Sequence, residues 1–219
     1  MSCTGDLLCV LTYDGSRSDV AINYALLFAT GTLFIFGGCG ADGRLADLHQ
    51  FDMHTSCWTE LPSPPGVSGR GGATLEPSAD GKALWLAAGF DGGETNDLLR
   101  FCLKSQQWQR LPSSWLRPRS VASSFAFELG LMVHGGEVSP SDKGHEGAGG
   151  FAGDLVAIDS SGEPMHLVLA DGEPAPSARG WAASATLSGS EGVLFGGLAG
   201  DDQSPVRLND AWMLSVREL

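Results

Sequence analysis

The sequence predicts an all-β fold made of about four copies of one antiparallel, four-stranded unit, and three observations predict it. Short apolar runs alternate with turn residues along the whole chain, and 31 glycines are spread throughout instead of gathered in one tract. That distribution suits many tight turns between short strands. A block of residues then recurs at a fixed offset: Asp47, Phe51, Trp58 and Leu61-Pro62 return as Asp97, Phe101, Trp108 and Leu111-Pro112. Finally, an apolar run closing on small residues precedes each block, GTLFIFGG in one and LWLAAG in the next.

Taken in order, the first apolar stretch, Asp6 to Tyr13, ends at the turn pair Asp14-Gly15 and reads as a strand. VAINYALLFA and TLFIF follow, split by Thr30-Gly31. Ala and Leu lean towards helix, yet the glycine break and the flanking strands favour β for both. From Gly37-Gly38 the period is regular, with eleven residues between Asp47 and Trp58 and the same between Asp97 and Trp108. Weaker copies follow. Asp154 takes the part of Asp97, which puts Ile158 at the Phe101 position and Met165 at the Trp108 position; Asn209-Asp210 repeats Asn96-Asp97, with Leu214 at the Phe position. Arg17, Arg70, Arg119 and Arg179 each stand ahead of a glycine doublet or its remnant: Gly37-Gly38, Ala88-Gly89, Gly135-Gly136 and Gly196-Gly197.

A period near fifty with four apolar runs describes the blade of a β-propeller. One twisted sheet cannot bury both its faces, so blades stack radially, face to face. In that arrangement Trp58 and Trp108 fill the gap between neighbouring blades. The doublet serves a sharp turn close to another backbone, and Ala88 in place of glycine is expected to relax that turn.

These residues resemble the kelch repeat: apolar run, Gly-Gly, Asp or Asn-Asp, aromatic, Trp, Leu-Pro, Arg. The resemblance covers Arg17 to Leu219 and implies a single domain, residues 1–219, with units at 17–69, 70–118, 119–178 and 179–219. Residues 1–16 are available to complete the last unit. Two forms satisfy this pattern, a small ring closed by the N-terminal strand and an open arc with an uncovered edge.

Composition narrows the function. The formal net charge is −13 with only 13 Lys and Arg, which disfavours a nucleic-acid binder. No apolar run approaches the length of a membrane span, and the first residues lack the basic and apolar regions of a secretory signal. Five cysteines without a C-x-x-C pair fit neither a zinc site nor a disulfide framework, so a reducing, cytoplasmic setting is expected.

The resemblance implies a non-catalytic protein-interaction scaffold that binds a protein partner through its loop face, without a cofactor or a metal. The alternatives are a partial propeller of an enzyme and a structural segment of a larger assembly, self-associating through an edge strand. Some kelch propellers are enzymes, but the iron and copper constellations this would imply are not formed: position 101 is Phe, and the two tyrosines are Tyr13 and Tyr24. The candidate binding residues are Arg70, Arg119, Arg179 and His145. His145 lies in the longest loop, Glu137 to Gly153, which adjoins a second long loop at Leu198 to Leu208. A ring of guanidinium groups suits carboxylates or phosphates. Because the arginines recur with the fold, the preferred reading is structural, each bonding its own blade's carbonyls or the repeat Asp.

Overall fold

The computed structural model describes residues 25–29 (as backbone), 31–141, 143, 149–168, 170 and 172–217. Blade one comprises β1 (Ala25–Ala29), β2 (Thr32–Gly40), β3 (Gly43–Asp52) and β4 (Cys57–Leu61), paired in that order. Blade two follows with β5 (Thr74–Pro77), β6 (Ala83–Ala87), β7 (Leu98–Cys102) and β8 (Gln107–Leu111). Blade three starts with β9 (Ser123–Phe127) and β10 (Gly130–His134), then makes a small separate hairpin of β11 (Glu137–Ser139) and β12 (Gly150–Phe151). It resumes with β13 (Leu155–Asp159) and β14 (Pro164–Met165). Blade four has three strands among the described residues: β15 (Ala183–Thr186), β16 (Glu191–Gly200) and β17 (Pro205–Ser215). Residues 6–13 and Arg17, assigned above to a strand and to the first repeat arginine, lie outside the described residues.

The first strands, β1, β5, β9 and β15, lie side by side in that order. Alternation along each strand sends one set of side chains to the preceding blade and the other to the next. In β6, Leu84 and Leu86 join Phe34, Phe36, Leu48 and Leu61 of blade one; Trp85 and Ala87 join Leu131, Val133 and Ile158 of blade three. A third layer sets Phe125, Phe127, Met132 and Ala157 against Leu194 of blade four. Each fully buried Leu or Phe in these layers contributes about 2 kcal/mol. The series ends on an uncovered face of blade four, where Phe195 and Met213 are 54% and 61% exposed. Among the described residues the blades therefore form an open arc.

Two expectations about the wide outer gaps are corrected. Trp108 is seated on blade one as expected: its indole N–H donates to the Pro62 carbonyl at 2.6 Å and its ring lies 6.4 Å from that of Phe36. Trp58 packs against its own Phe51 and is 49% exposed. Trp108 reaches back to the blade before its own, and no blade precedes the first among the described residues. Met165 does not take the Trp108 position. Phe101 pairs with Trp108, whereas Ile158 pairs with Pro164 and Met165 pairs with Ala157. The blade-three turn, closed at Gly162 with φ 96°, is one residue shorter. A slip of one residue turns every side chain to the other face, so Met165 joins the layer facing blade four.

Candidate functional site

The doublets and the arginines together bolt one blade to the next. Gly37, Ala88, Gly135 and Gly196 share a φ of 59–68°, and Gly38, Gly89, Gly136 and Gly197 one of 96–112°. This conformation turns the second residue's N–H onto the next blade. Gly38, Gly89 and Gly136 donate to the carbonyls of Arg70, Arg119 and Arg179 at 2.8, 2.9 and 2.8 Å. A Cβ on Gly37 or Gly135 would meet those carbonyl oxygens at 2.6 and 2.3 Å. Ala88 does not relax the turn as expected: the inter-blade bond holds it in the same left-handed conformation, at a cost of about 1 kcal/mol.

Each arginine side chain then turns back into its own blade. Arg70, Arg119 and Arg179 are at most 1% exposed. Their Nη1 groups donate to the carbonyls of Ala88, Gly135 and Gly196, and the guanidiniums pair with Asp97, Asp154 and Asp210 at 2.7–2.8 Å. Arg119 and Arg179 form two-pronged pairs with their carboxylates. The hydroxyls of Ser68 and Ser177 accept a further Nη2 bond; Arg117 stands at that place in the third copy. Hydrogen bonds from Arg119 and from Arg179 hold the carboxyls of Asp154 and Asp210 well below the usual range. At Asp97 burial pushes the other way, and Arg70 and Arg110 together outweigh it. The three candidate arginines are thus brought to equivalent buried places, pointing into the blades. His145 lies outside the described residues.

In blades two, three and four the residue after the doublet pairs with the residue after the same blade's arginine: Gly71 with Phe90, Ser120 with Glu137, Gly180 with Leu198. The first two of these pairs line a cavity of about 170 Å³ on the loop face. Cys39 and Arg44 form its blade-one wall, Phe90 its blade-two wall, Ser120 and Glu137 its blade-three wall, and Trp181 its blade-four wall. The Arg44 guanidinium lies 4.6 Å above the Phe90 ring, a cation–π contact that holds an exposed charge at the rim. Val121 and Trp181 line the same cavity with φ of 48° and 60°, where the second copy has Gly72. Left-handed backbone at a β-branched and at a bulky residue is strain kept at this mouth.

The cavity's acidic side is perturbed. Ser120 Oγ donates to Glu94 Oε1 at 3.0 Å, while Glu94 Oε2 is buried without a partner. Burial first, and then the like charge of Glu137, push the Glu94 carboxyl up to about 7. Glu137 Oε1 accepts the N–H groups of Ser141 and Gly149 at 3.3 Å, fastening both ends of the long loop. The stretch Leu198–Leu208, expected to be a long loop, is instead the end of the β16–β17 hairpin, and its turn adjoins the long loop as expected: Ser141 Oγ donates to Asp202 Oδ1 at 2.5 Å, and Lys143 Nζ to its carbonyl at 2.7 Å.

The KLHDC2/KLHL20/DRC7 Kelch-repeats domain matches residues 14–136, more than half of the chain. The chain belongs to the kelch-repeat family. A solved structure, that of YjhT, is similar over 88% of this kelch chain and 68% of its own, with a TM-score of 0.66 and 16% identity. Identity at that level speaks to the fold alone.

The cavity residues of this kelch domain escaped sequence reading, because Cys39, Phe90 and Glu137 share a position and no chemistry. Their only signal is place, directly after each doublet. His134 is a packed core residue: it is buried, its Nδ1 lies 3.1 Å from the Asp154 carbonyl, and burial above all lowers its pKa. His49 pairs with Asp47 at 2.7 Å. Among the described residues no helix is long and apolar enough to cross a membrane.

Proposed function

We propose that this kelch domain is a non-catalytic, cytoplasmic interaction module that holds a segment of a partner protein in the loop-face cavity. The observation that carries this reading is that all four blades contribute to one cavity with opposed chemistry. The Arg44 guanidinium stands on one wall and the Glu137 carboxylate on another, with Phe90 and Trp181 between them. A volume of about 170 Å³ suits one or two side chains of a bound peptide rather than a cofactor. Loops on a rigid scaffold are where recognition is generally placed, and an acidic surface of this net charge steers basic partners towards it.

Arg44→Ala and Trp181→Ala test it. Both side chains reach solvent at the rim, so folding is retained. Quantitative affinity purification from the source cytosol is expected to recover at least one protein with the parent domain that falls about tenfold with both variants. Equal recovery by all three forms, at equal melting temperature, would overturn the proposal. Replacing the whole long loop is a poorer test, because Glu137 ties its two ends to the blade.

A further inference from the structure

The loop-face cavity meets more negative charge than its lining shows. Glu137 lies on the lining and is 9% exposed. Glu94 joins it through Ser120, whose Oγ donates to Glu94 Oε1 at 3.0 Å, and the backbone bridge between Phe90 and Glu94 keeps this carboxyl beside the blade-two wall. Glu94 Oε2 is buried with no hydrogen-bond partner. Burial, and then the like charge of Glu137, raise this carboxyl to about 7. An acceptor left in that state is costly, and a cation beside it offsets both causes. Among the described residues of the lining Arg44 is the cation, and its guanidinium is set over the Phe90 ring.

We propose that the cavity takes the guanidinium of an arginine side chain, with the Glu94 and Glu137 carboxyls as its acceptors and the Trp181 ring as its stacking face. This rests on the reading of the cavity as a site for a protein segment and names the residue of that segment that the cavity recognises. A guanidinium presents five N–H donors in a fixed fork, so it can serve two carboxyls at once, where an ammonium offers a compact point charge. Its flat face suits an indole, and Trp181 is 38% exposed on the blade-four wall. The backbone holds that ring in place at φ 60°, where the second copy has Gly72 at 61°. Strain of this kind at a bulky residue is kept where the side chain has a task.

The opposite choice, an acidic side chain, would meet Arg44 at the rim and set a third carboxyl beside Glu94 and Glu137. The desolvated pair outweighs the exposed Arg44, because charges out of water act more strongly on a ligand than one that water screens. A net charge of −13 also draws a basic segment towards the face, and about 170 Å³ admits one such side chain.

The test uses the full 219-residue chain and acetyl-arginine N-methylamide as the probe, followed by amide and indole NMR shifts at physiological salt. Saturable one-site binding is expected, with shifts centred on Ser120, Glu137 and the Trp181 indole. The citrulline analogue, equal in shape and uncharged, is expected to bind about tenfold more weakly. Glu94→Gln keeps an acceptor for Ser120 and is expected to weaken the arginine probe about fivefold without lowering the melting temperature. No saturable binding, equal binding of the citrulline analogue, shifts scattered over the acidic surface, or an unaffected Glu94→Gln variant would each overturn the proposal. So would tighter binding of acetyl-aspartate N-methylamide, since that reverses the sign of the site. The cavity reading fails separately. A protein recovered with the parent domain and lost with Arg44→Ala and Trp181→Ala sustains that reading whatever the probe does. Probe binding with no such protein recovered sustains the guanidinium site and removes the protein segment.

Discussion

Blade two and blade four share one register and differ in what lies beside them. In blade two, Leu98, Trp85 and Ala87 are closed off by blade three. Their counterparts Ala211, Val193 and Phe195 carry the same alternation on blade four, and Phe195 is more than half exposed. The sheet pattern is therefore a property of the repeat, while burial is a property of the neighbour. The arginine–aspartate bolt, in contrast, is complete in both blades. The bolt forms within a blade and against the one before it, so it does not depend on a blade beyond.

That contrast is broken most severely at Arg119. Its removal leaves the Asp154 carboxylate and the Gly135 carbonyl unpaired at the centre of the arc, and Arg119→Ala is expected to cost about 3–5 kcal/mol. Arg179→Ala removes the same bonds from the terminal blade. Calorimetry is expected to show a lowered single transition for Arg119→Ala and a separate early transition for Arg179→Ala, as blade four loosens alone. Identical profiles for the two would remove the distinction between inner and terminal blades.

The doublets give the next largest effect, with opposite signs. Gly135→Ala places a Cβ against the Arg179 carbonyl and is expected to cost about 2–3 kcal/mol. Ala88→Gly releases a left-handed alanine and is expected to gain about 0.5–1 kcal/mol. Urea midpoints that move in the same direction for both would refute the shared geometry. Smaller again is the difference between the two tryptophans: Trp108→Ala is expected to cost about 2 kcal/mol and Trp58→Ala less than about 1 kcal/mol, since only Trp108 is seated on another blade.

Residue identities made the repeat and the arginine bolt legible before any coordinates. Arg, Gly-Gly and Asp recur because the same backbone carbonyls must be met in every blade. The burial of Trp58 was not legible, because an identical Trp-x-x-Leu is covered or bare according to what precedes its blade. Met165 was misplaced because a single residue missing from a turn reverses the strand's faces while leaving the apolar composition unchanged. The cavity was invisible for a third reason. Three of its wall residues are set by position after the doublets, where the fold asks nothing of the side chain, and a cysteine, a phenylalanine and a glutamate share no pattern.

The smallest effect sharpens the same comparison through pH. Glu76 and Glu94 are both pushed up to about 7, chiefly by burial. Glu76 is enclosed between blades two and three and accepts a hydrogen bond from Ser124 at 2.8 Å, whereas Glu94 adjoins the open cavity. A carboxyl raised in the folded state binds a proton that the unfolded chain has already released, so stability falls as pH rises from the ordinary glutamate value to about 7, and levels off above it. The depressed carboxyls of Asp97, Asp154 and Asp210 act in the opposite sense, their contribution being lost as pH falls through and below the ordinary aspartate range. Maximum stability is therefore expected in the mildly acid range. Glu76→Gln is expected to remove more of the fall between about pH 5 and about pH 8 than Glu94→Gln does, because water reaches the cavity side and screens Glu94. Urea midpoints across that range measure the difference. A larger change from Glu94→Gln would show that the cavity wall, not the inter-blade seam, is the more sharply desolvated place in the arc.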